Sequence, residues 1–121
     1  MDKQPILTIY KIIHISAAHQ LHLPYQSKCN NLHGHNWKIE TWITGTLNEQ
    51  KMVVDFNLVK KEVMKLDHIF INNVEGIEEP TAESIAIYLA TQIMDLAPNI
   101  LKVKVRVWET VNSYAEFEKI R

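Results

Sequence analysis

The spacing of apolar residues divides the chain into six elements. Ile6 to Ile15 is dense in Ile, Thr and Tyr, side chains that fit a pleated surface, and a strand is predicted there. Ser16 to Asn31 sustains no period and contains Pro24, so it reads as a long loop. His33 to Thr46 reads as a second strand. Alternation places His33, His35, Trp37, Ile39, Thr41 and Ile43 on one face, with Asn36, Lys38, Glu40 and Trp42 on the other.

Two helical patterns come next. Phe56, Val59, Val63 and Leu66 recur at helical spacing with Lys60, Lys61 and Glu62 between them, and Asp55 can cap their start. Pro80-Thr81 marks a second start, with Thr81 as N-cap and Glu83 in the first turn. Ile85, Leu89, Ile93 and Leu96 form its stripe, and Pro98 ends it. Leu101 to Glu109 then alternates again, with Val103, Val105 and Val107 opposite Lys102, Lys104, Arg106 and Trp108. Tyr114 to Ile120 is a last strand. The order β-β-α-α-β-β implies an α+β fold: one antiparallel four-stranded sheet with two helices on its apolar face. The other face, with Lys38, Glu40, Lys102, Lys104 and Arg106, is expected to be wet, facing solvent or lining a channel in an oligomer.

Length and charge narrow the function. The 121 residues suit one domain spanning 1–121, and a net charge of −1 gives no broad pull toward nucleic acid or membrane. No apolar run is long enough to span a bilayer, and the first residues, Met1 to Pro5, lack a targeting signal's apolar core. The single cysteine, Cys29, cannot form an internal disulfide. A soluble cytoplasmic protein is expected.

The candidate chemistry starts at His33-Gly34-His35. Residues two apart on a strand point the same way, so both imidazoles can reach one metal ion. His19, after Ser16-Ala17-Ala18, is the third ligand, with His14 and His22 as rivals. Three protein ligands and an open position are the usual catalytic zinc arrangement. Cys29, four residues before His33, could be a fourth ligand or a base. Asp67-His68 follows the first helix, and a carboxylate can fix the tautomer of a neighbouring imidazole. Adjacent residues do not usually face each other, so this pairing needs an irregular helix end. Glu109 continues the valine face, where a buried carboxylate needs a partner; a ring with two adjacent N–H donors, such as a guanine-like or pterin ring, suits it.

Together, Ser16-Ala17-Ala18-His19-Gln20-Leu21, Lys28 to Asn36, Val53 to Phe56, Leu66-Asp67-His68, Pro80 to Glu83 and Trp108-Glu109-Thr110 resemble the family of 6-pyruvoyltetrahydropterin and 6-carboxytetrahydropterin synthases. The resemblance runs from about Ile13 to Glu118. It implies the tunnelling fold (T-fold), with three sheets closed into a barrel, two trimers stacked into a homohexamer, and sites between subunits. It implies Zn2+ held by His19, His33 and His35. Cys29, Asp67 and His68 would transfer protons, and Glu109 would anchor the pterin. The three residues between Cys29 and His33 are similar to the bacterial 6-carboxy branch. The implied reaction is a lyase step of 7-deazaguanine (queuosine) biosynthesis. It converts 7,8-dihydroneopterin triphosphate to 6-carboxy-5,6,7,8-tetrahydropterin, releasing acetaldehyde and triphosphate. The alternatives are 6-pyruvoyltetrahydropterin synthesis and a non-catalytic, zinc-stabilised oligomer that binds a pterin or purine. Gln20 departs from the arginine often found in relatives, and Ile15 from an aromatic residue.

Overall fold

The computed structural model describes residues 3–121; Met1 and Asp2, part of the segment read as lacking a targeting signal, lie outside the described residues. The elements are β1 (Leu7–His19), β2 (His33–Gly45), α1 (Phe56–Met64), α2 (Ala82–Met94), β3 (Ile100–Thr110) and β4 (Ser113–Ile120). The strands form one sheet in the order β1-β2-β3-β4, with every neighbouring pair antiparallel. The expected order of elements is therefore the observed one. No helix among the described residues is long and apolar enough to cross a membrane.

The first strand is longer than its composition predicts. Ser16 to His19, expected in a loop, continues β1 to its end. Small residues carry little strand preference, but tertiary pairing overrides it here. On one side Ser16 to His19 pair with Asn36 to His33 of β2. On the other, the Ser16 carbonyl accepts from His68 N–H (2.6 Å), and Ala18 N–H donates to the Ile69 carbonyl (3.1 Å). Both backbone edges of this stretch are satisfied, which fixes it as strand.

The helices end as their caps dictate. Asp55 accepts from Asn57 N–H and Thr81 from Ser84 N–H, each satisfying a donor that the first helical turn leaves open. In α1 the predicted stripe holds at Val59 and Val63, whereas Phe56 is largely exposed and Leu66 is buried just past the helix end. In α2 Ile85, Leu89 and Ile93 are fully buried. Each such side chain contributes about 1.5–3 kcal/mol of apolar burial. α2 packs on β3 and β4, and α1 on β1, so Ile39, Ile43, Val103, Val105 and Val107 are sealed beneath the helices.

Gly45 shows how tightly the base of the sheet closes. A Cβ there would lie 2.4 Å from the Asn99 carbonyl oxygen, too close for any side chain. Asn99 also ties this corner together, donating to the carbonyls of Thr46 and Val53.

The outer face interleaves aromatic and charged side chains. Lys104 stacks on Trp42 (4.3 Å), Lys38 on Trp108 (4.4 Å), and Arg106 lies over both Trp42 and Tyr114. Glu40 accepts from the Tyr10 hydroxyl and from Trp108 Nε1, both at 2.6 Å. Its burial opposes ionisation, but these two hydrogen bonds, with Arg106, outweigh burial and hold the carboxyl below its usual range.

Candidate metal centre and active site

Three imidazoles meet on the inner face at one end of the sheet. His19 stands directly opposite His33 across the β1–β2 ladder, and His35 stands opposite Ala17. The side-chain period of two puts all three rings on the helix-covered face. Ring centroids are 4.4 Å apart for His19 and His33, 5.1 Å for His19 and His35, and 4.8 Å for His33 and His35. Gly34, between the two β2 histidines, points to the opposite face, where a Cβ would make only ordinary contact with the Ala17 carbonyl.

Trp37 forms the floor of the cluster. It is buried next along the same face, with its ring 5.0 Å from His19 and 5.2 Å from His35. Its Nε1 donates to the Ala17 carbonyl, which locks the ring against β1.

The backbone sets the ring tautomers. His19 Nδ1 lies 2.7 Å from the Pro80 carbonyl, and His33 Nδ1 lies 2.7 Å from the Asn31 carbonyl. A carbonyl only accepts, so each Nδ1 carries the proton and each Nε2 keeps its lone pair. The His19 ring is fully buried. The Nε2 atoms of His19 and His35 are both buried; that of His19 has no hydrogen-bond partner, and that of His35 faces the Glu109 carboxylate. Leaving a buried polar atom unsatisfied costs about 1–3 kcal/mol. Buried ring nitrogens converging on one point, one of them unpartnered, fit a metal ion.

Glu109 completes the group. Its Oε1 lies 3.1 Å from His35 Nε2 and 3.8 Å from His19 Nε2. One ligand atom from each of His19, His33, His35 and Glu109 can lie within 4.8 Å of the others, so these four residues could hold a metal ion. Burial holds the His35 imidazole below its usual range, against the opposing pull of Glu109, and so favours the neutral ring that a metal accepts. Alternation along the valine face of β3 places Glu109 inward but says nothing of its approach to the histidines. That approach follows a register shift between Trp108 and Thr110. Glu109 also lines a cavity of about 240 Å3 with Ala82, Glu83, Ser113, Tyr114 and Ala115.

The two rival histidines lie elsewhere. His14 points to the outer face, opposite Lys38 and beside Trp108. His22 is exposed, with its ring 3.5 Å from Glu79. Neither joins the four-residue group among the described residues.

Cys29, Asp67 and His68 are not members of this group. Cys29 is a free thiol, half-buried, in a single 3-10 turn over Lys28–Asn30. Its carbonyl accepts from Leu21 N–H (2.8 Å), which ties the turn to a point two residues past His19. Asp67 and His68 do face each other, with Asp67 Oδ2 2.8 Å from His68 Nδ1. The irregular helix end this pairing needs is present: His68 has φ of 57°, in the left-handed region. That conformation costs on the order of 1 kcal/mol for a non-glycine residue, and the bonds to Ser16 offset it. Ser16 N–H donates to Asp67 Oδ1 (2.8 Å) and is the main cause holding that carboxyl below its usual range, with His68 adding to it. The His68 ring itself is exposed on the outer edge of β1.

The family model described as 6-pyruvoyl tetrahydropterin synthase matches residues 8–120. The chain belongs to this family. A Synechocystis protein named 6-carboxy-5,6,7,8-tetrahydropterin synthase is 33% identical, covering 90% of this chain and 91% of its own. An Archaeoglobus fulgidus relative is 37% identical, covering 86% of this chain and 89% of its own. Among solved structures, 6-pyruvoyl tetrahydropterin synthase of Caenorhabditis elegans superposes with a TM-score of 0.74 at 28% identity. That match covers 98% of this chain and 99% of the other. The family thus shares the β-β-α-α-β-β architecture described above.

Proposed function

We propose that this chain is a zinc-dependent lyase acting on a pterin. In our reading it converts 7,8-dihydroneopterin triphosphate and water to 6-carboxy-5,6,7,8-tetrahydropterin, acetaldehyde and triphosphate, a step toward 7-deazaguanines. The observation that carries this reading is the position of Glu109, whose carboxylate faces both the histidine cluster and the neighbouring cavity. A carboxylate so placed can accept two N–H donors from a pterin ring in the cavity and set the side chain of that ring against the metal. The names of relatives at 33% identity support the 6-carboxy product.

His19, His33 and His35 are the proposed zinc ligands, through the ring nitrogens that come together at the cluster. When bound, zinc supplies Lewis acidity toward the substrate's side-chain oxygens. Cys29 accepts a proton as thiolate. His68, its ring oriented by Asp67, carries a proton at its exposed edge. The exposed position of His68 fits a site completed by a second copy of the chain, and we propose the closed trimer, stacked into a hexamer, as the working assembly. A lone thiol of this kind suits the cytoplasm.

The test is incubation of zinc-loaded protein with dihydroneopterin triphosphate, with products identified by mass. Release of acetaldehyde with 6-carboxytetrahydropterin supports the proposal. 6-Pyruvoyltetrahydropterin, formed by loss of triphosphate alone, would reassign the branch. A second reading is favoured by the reach of Glu109 to the cluster: Glu109 as fourth ligand of a saturated, structural metal in a pterin- or purine-binding oligomer. Tight pterin binding without turnover would select it.

A further inference from the structure

We infer that Gln20 is a positioning residue that sets the Cys29 turn against the metal end of β1, and that Asn72 holds Gln20 in place. The inference rests on the proposed reading of Cys29 as the proton acceptor. Gln20 follows His19 directly and begins the loop that returns to His33. Its side-chain amide reaches across that loop, and Nε2 donates to the Asn30 carbonyl at 2.7 Å. The next residue, Leu21, donates its N–H to the Cys29 carbonyl at 2.8 Å. Consecutive carbonyls of the thiol turn are thus held by consecutive residues beside His19.

The turn is braced from within as well. Asn30 Oδ1 accepts from Leu23 N–H (2.9 Å), and Asn30 Nδ2 donates to the Tyr25 carbonyl (3.0 Å). Gln20 is in turn clamped by a residue far along the chain. Asn72 Oδ1 accepts the Gln20 N–H at 2.9 Å, and Asn72 Nδ2 donates to the Gln20 carbonyl at 2.7 Å. A side-chain amide here imitates a paired strand residue at the point where β1 loses β2 as a neighbour. Asn72 lies in the 3-10 turn Ile71–Asn73, whose Ile71 is fully buried, so the clamp is anchored to the core. The path from core to thiol therefore runs Ile71, Asn72, Gln20, Asn30, Cys29, and it passes beside His19. Catalysis between a metal-bound substrate and a thiolate depends on their separation, and a small displacement can cost up to about 100-fold in rate.

The experiment uses the full chain loaded with zinc. Gln20→Met keeps the length of the side chain and removes the donor; Gln20→Lys restores an N–H donor at similar reach; Asn72→Asp keeps the shape and removes one donor. Metal content, the rate of Cys29 alkylation by iodoacetamide, and kcat and KM on the pterin triphosphate are measured for each. Gln20→Met is expected to retain stoichiometric zinc, to change the alkylation rate severalfold, and to lose about 10- to 100-fold in kcat with KM little altered. Gln20→Lys is expected to recover much of both, and Asn72→Asp to follow Gln20→Met. Parental alkylation and kcat in Gln20→Met and Asn72→Asp overturn the inference, as does a loss that Gln20→Lys fails to reverse. If Gln20→Met does not fold, the comparison of Asn72→Asp with Gln20→Lys decides by the same criteria. Full turnover by Cys29→Ala would refute the base assignment alone, because alkylation still reports whether Gln20 sets the turn.

Discussion

Metal removal should destabilise this protein strongly, and the size of the effect can be worked from the cluster. Without an ion, the His19 Nε2 is buried without a hydrogen-bond partner, and the buried His35 Nε2 faces the Glu109 carboxylate. An ion that binds the folded chain alone stabilises it by RT ln(1 + [L]/Kd), or about 4 kcal/mol at a thousandfold excess over Kd. A chain of 121 residues gains roughly 0.25 kcal/mol per kelvin of unfolding entropy, taking about 2.1 cal/mol/K per residue. The melting temperature should therefore rise by about 15 °C between chelated and zinc-saturated protein. Thermal unfolding by circular dichroism, after dialysis against chelator and back-titration with zinc, measures the shift. His19→Ala provides the control. It loses a fully buried ring and its bond to Pro80, so the chelated variant should itself be less stable by about 2–4 kcal/mol. Its further response to zinc should nearly vanish. Equal zinc-induced shifts in parent and His19→Ala, or no shift in the parent, would refute the assignment of these nitrogens to a metal.

Further expectations concern single groups. Cys29→Ala should keep stoichiometric zinc and lose turnover by at least about 100-fold, as read by metal analysis and product assay; normal turnover removes the thiol from the chemistry. Glu109→Gln should raise the pterin Kd by tenfold or more, about 1.4 kcal/mol, while zinc stoichiometry holds; parallel loss of zinc would mark a ligand instead. Asp67 should titrate below its ordinary 3.8 in a carbon-detected NMR experiment. Because its folded value is depressed, its contribution to stability is present above that ordinary value and fades as pH falls through the folded one; a midpoint at or above 3.8 contradicts the Ser16 clamp. Gly45→Ala should destabilise by more than about 2 kcal/mol in urea unfolding, since the contact it makes with the Asn99 backbone leaves no room to relax.

The elements are legible in the chain because each carries its own period. Val103, Val105 and Val107 alternate on one face, Asp55 and Thr81 cap the two helices, and both periodicities survive in the structure. The His33 and His35 pair is legible for the same reason: a strand sends residues two apart to one side. The placement of His19 is only half legible. Ser16-Ala17-Ala18 has no strand pattern of its own, and its conformation depends on β2 and on residues 68–70, which no local reading contains. The partners that orient the rings are backbone carbonyls of Asn31 and Pro80, and a carbonyl leaves no mark in a sequence. Alternation puts Glu109 on the correct face, but its distance to His35 depends on a register shift that alternation cannot foresee. The reciprocal amides of Gln20 and Asn72 are invisible for a simpler reason, because two polar residues in separate irregular segments carry no period at all.

The segment from Asp67 to Phe70 lies along the outer edge of β1 beside Ser16 and Ala18. Outward-facing backbone groups on this strand belong to alternate residues, so Ser16 and Ala18 are spent within the chain, whereas Thr8, Tyr10, Ile12 and His14 continue the same outward alternation below them. The inserted segment therefore acts as a stop on a rail. A strand arriving from outside can slide along β1 only as far as the His68 contact, over roughly 25–30 Å of rail at about 3.3 Å per residue. The register of any such strand would be limited by the same residues that orient His68, and its pairing would end before Ser16 and Ala18.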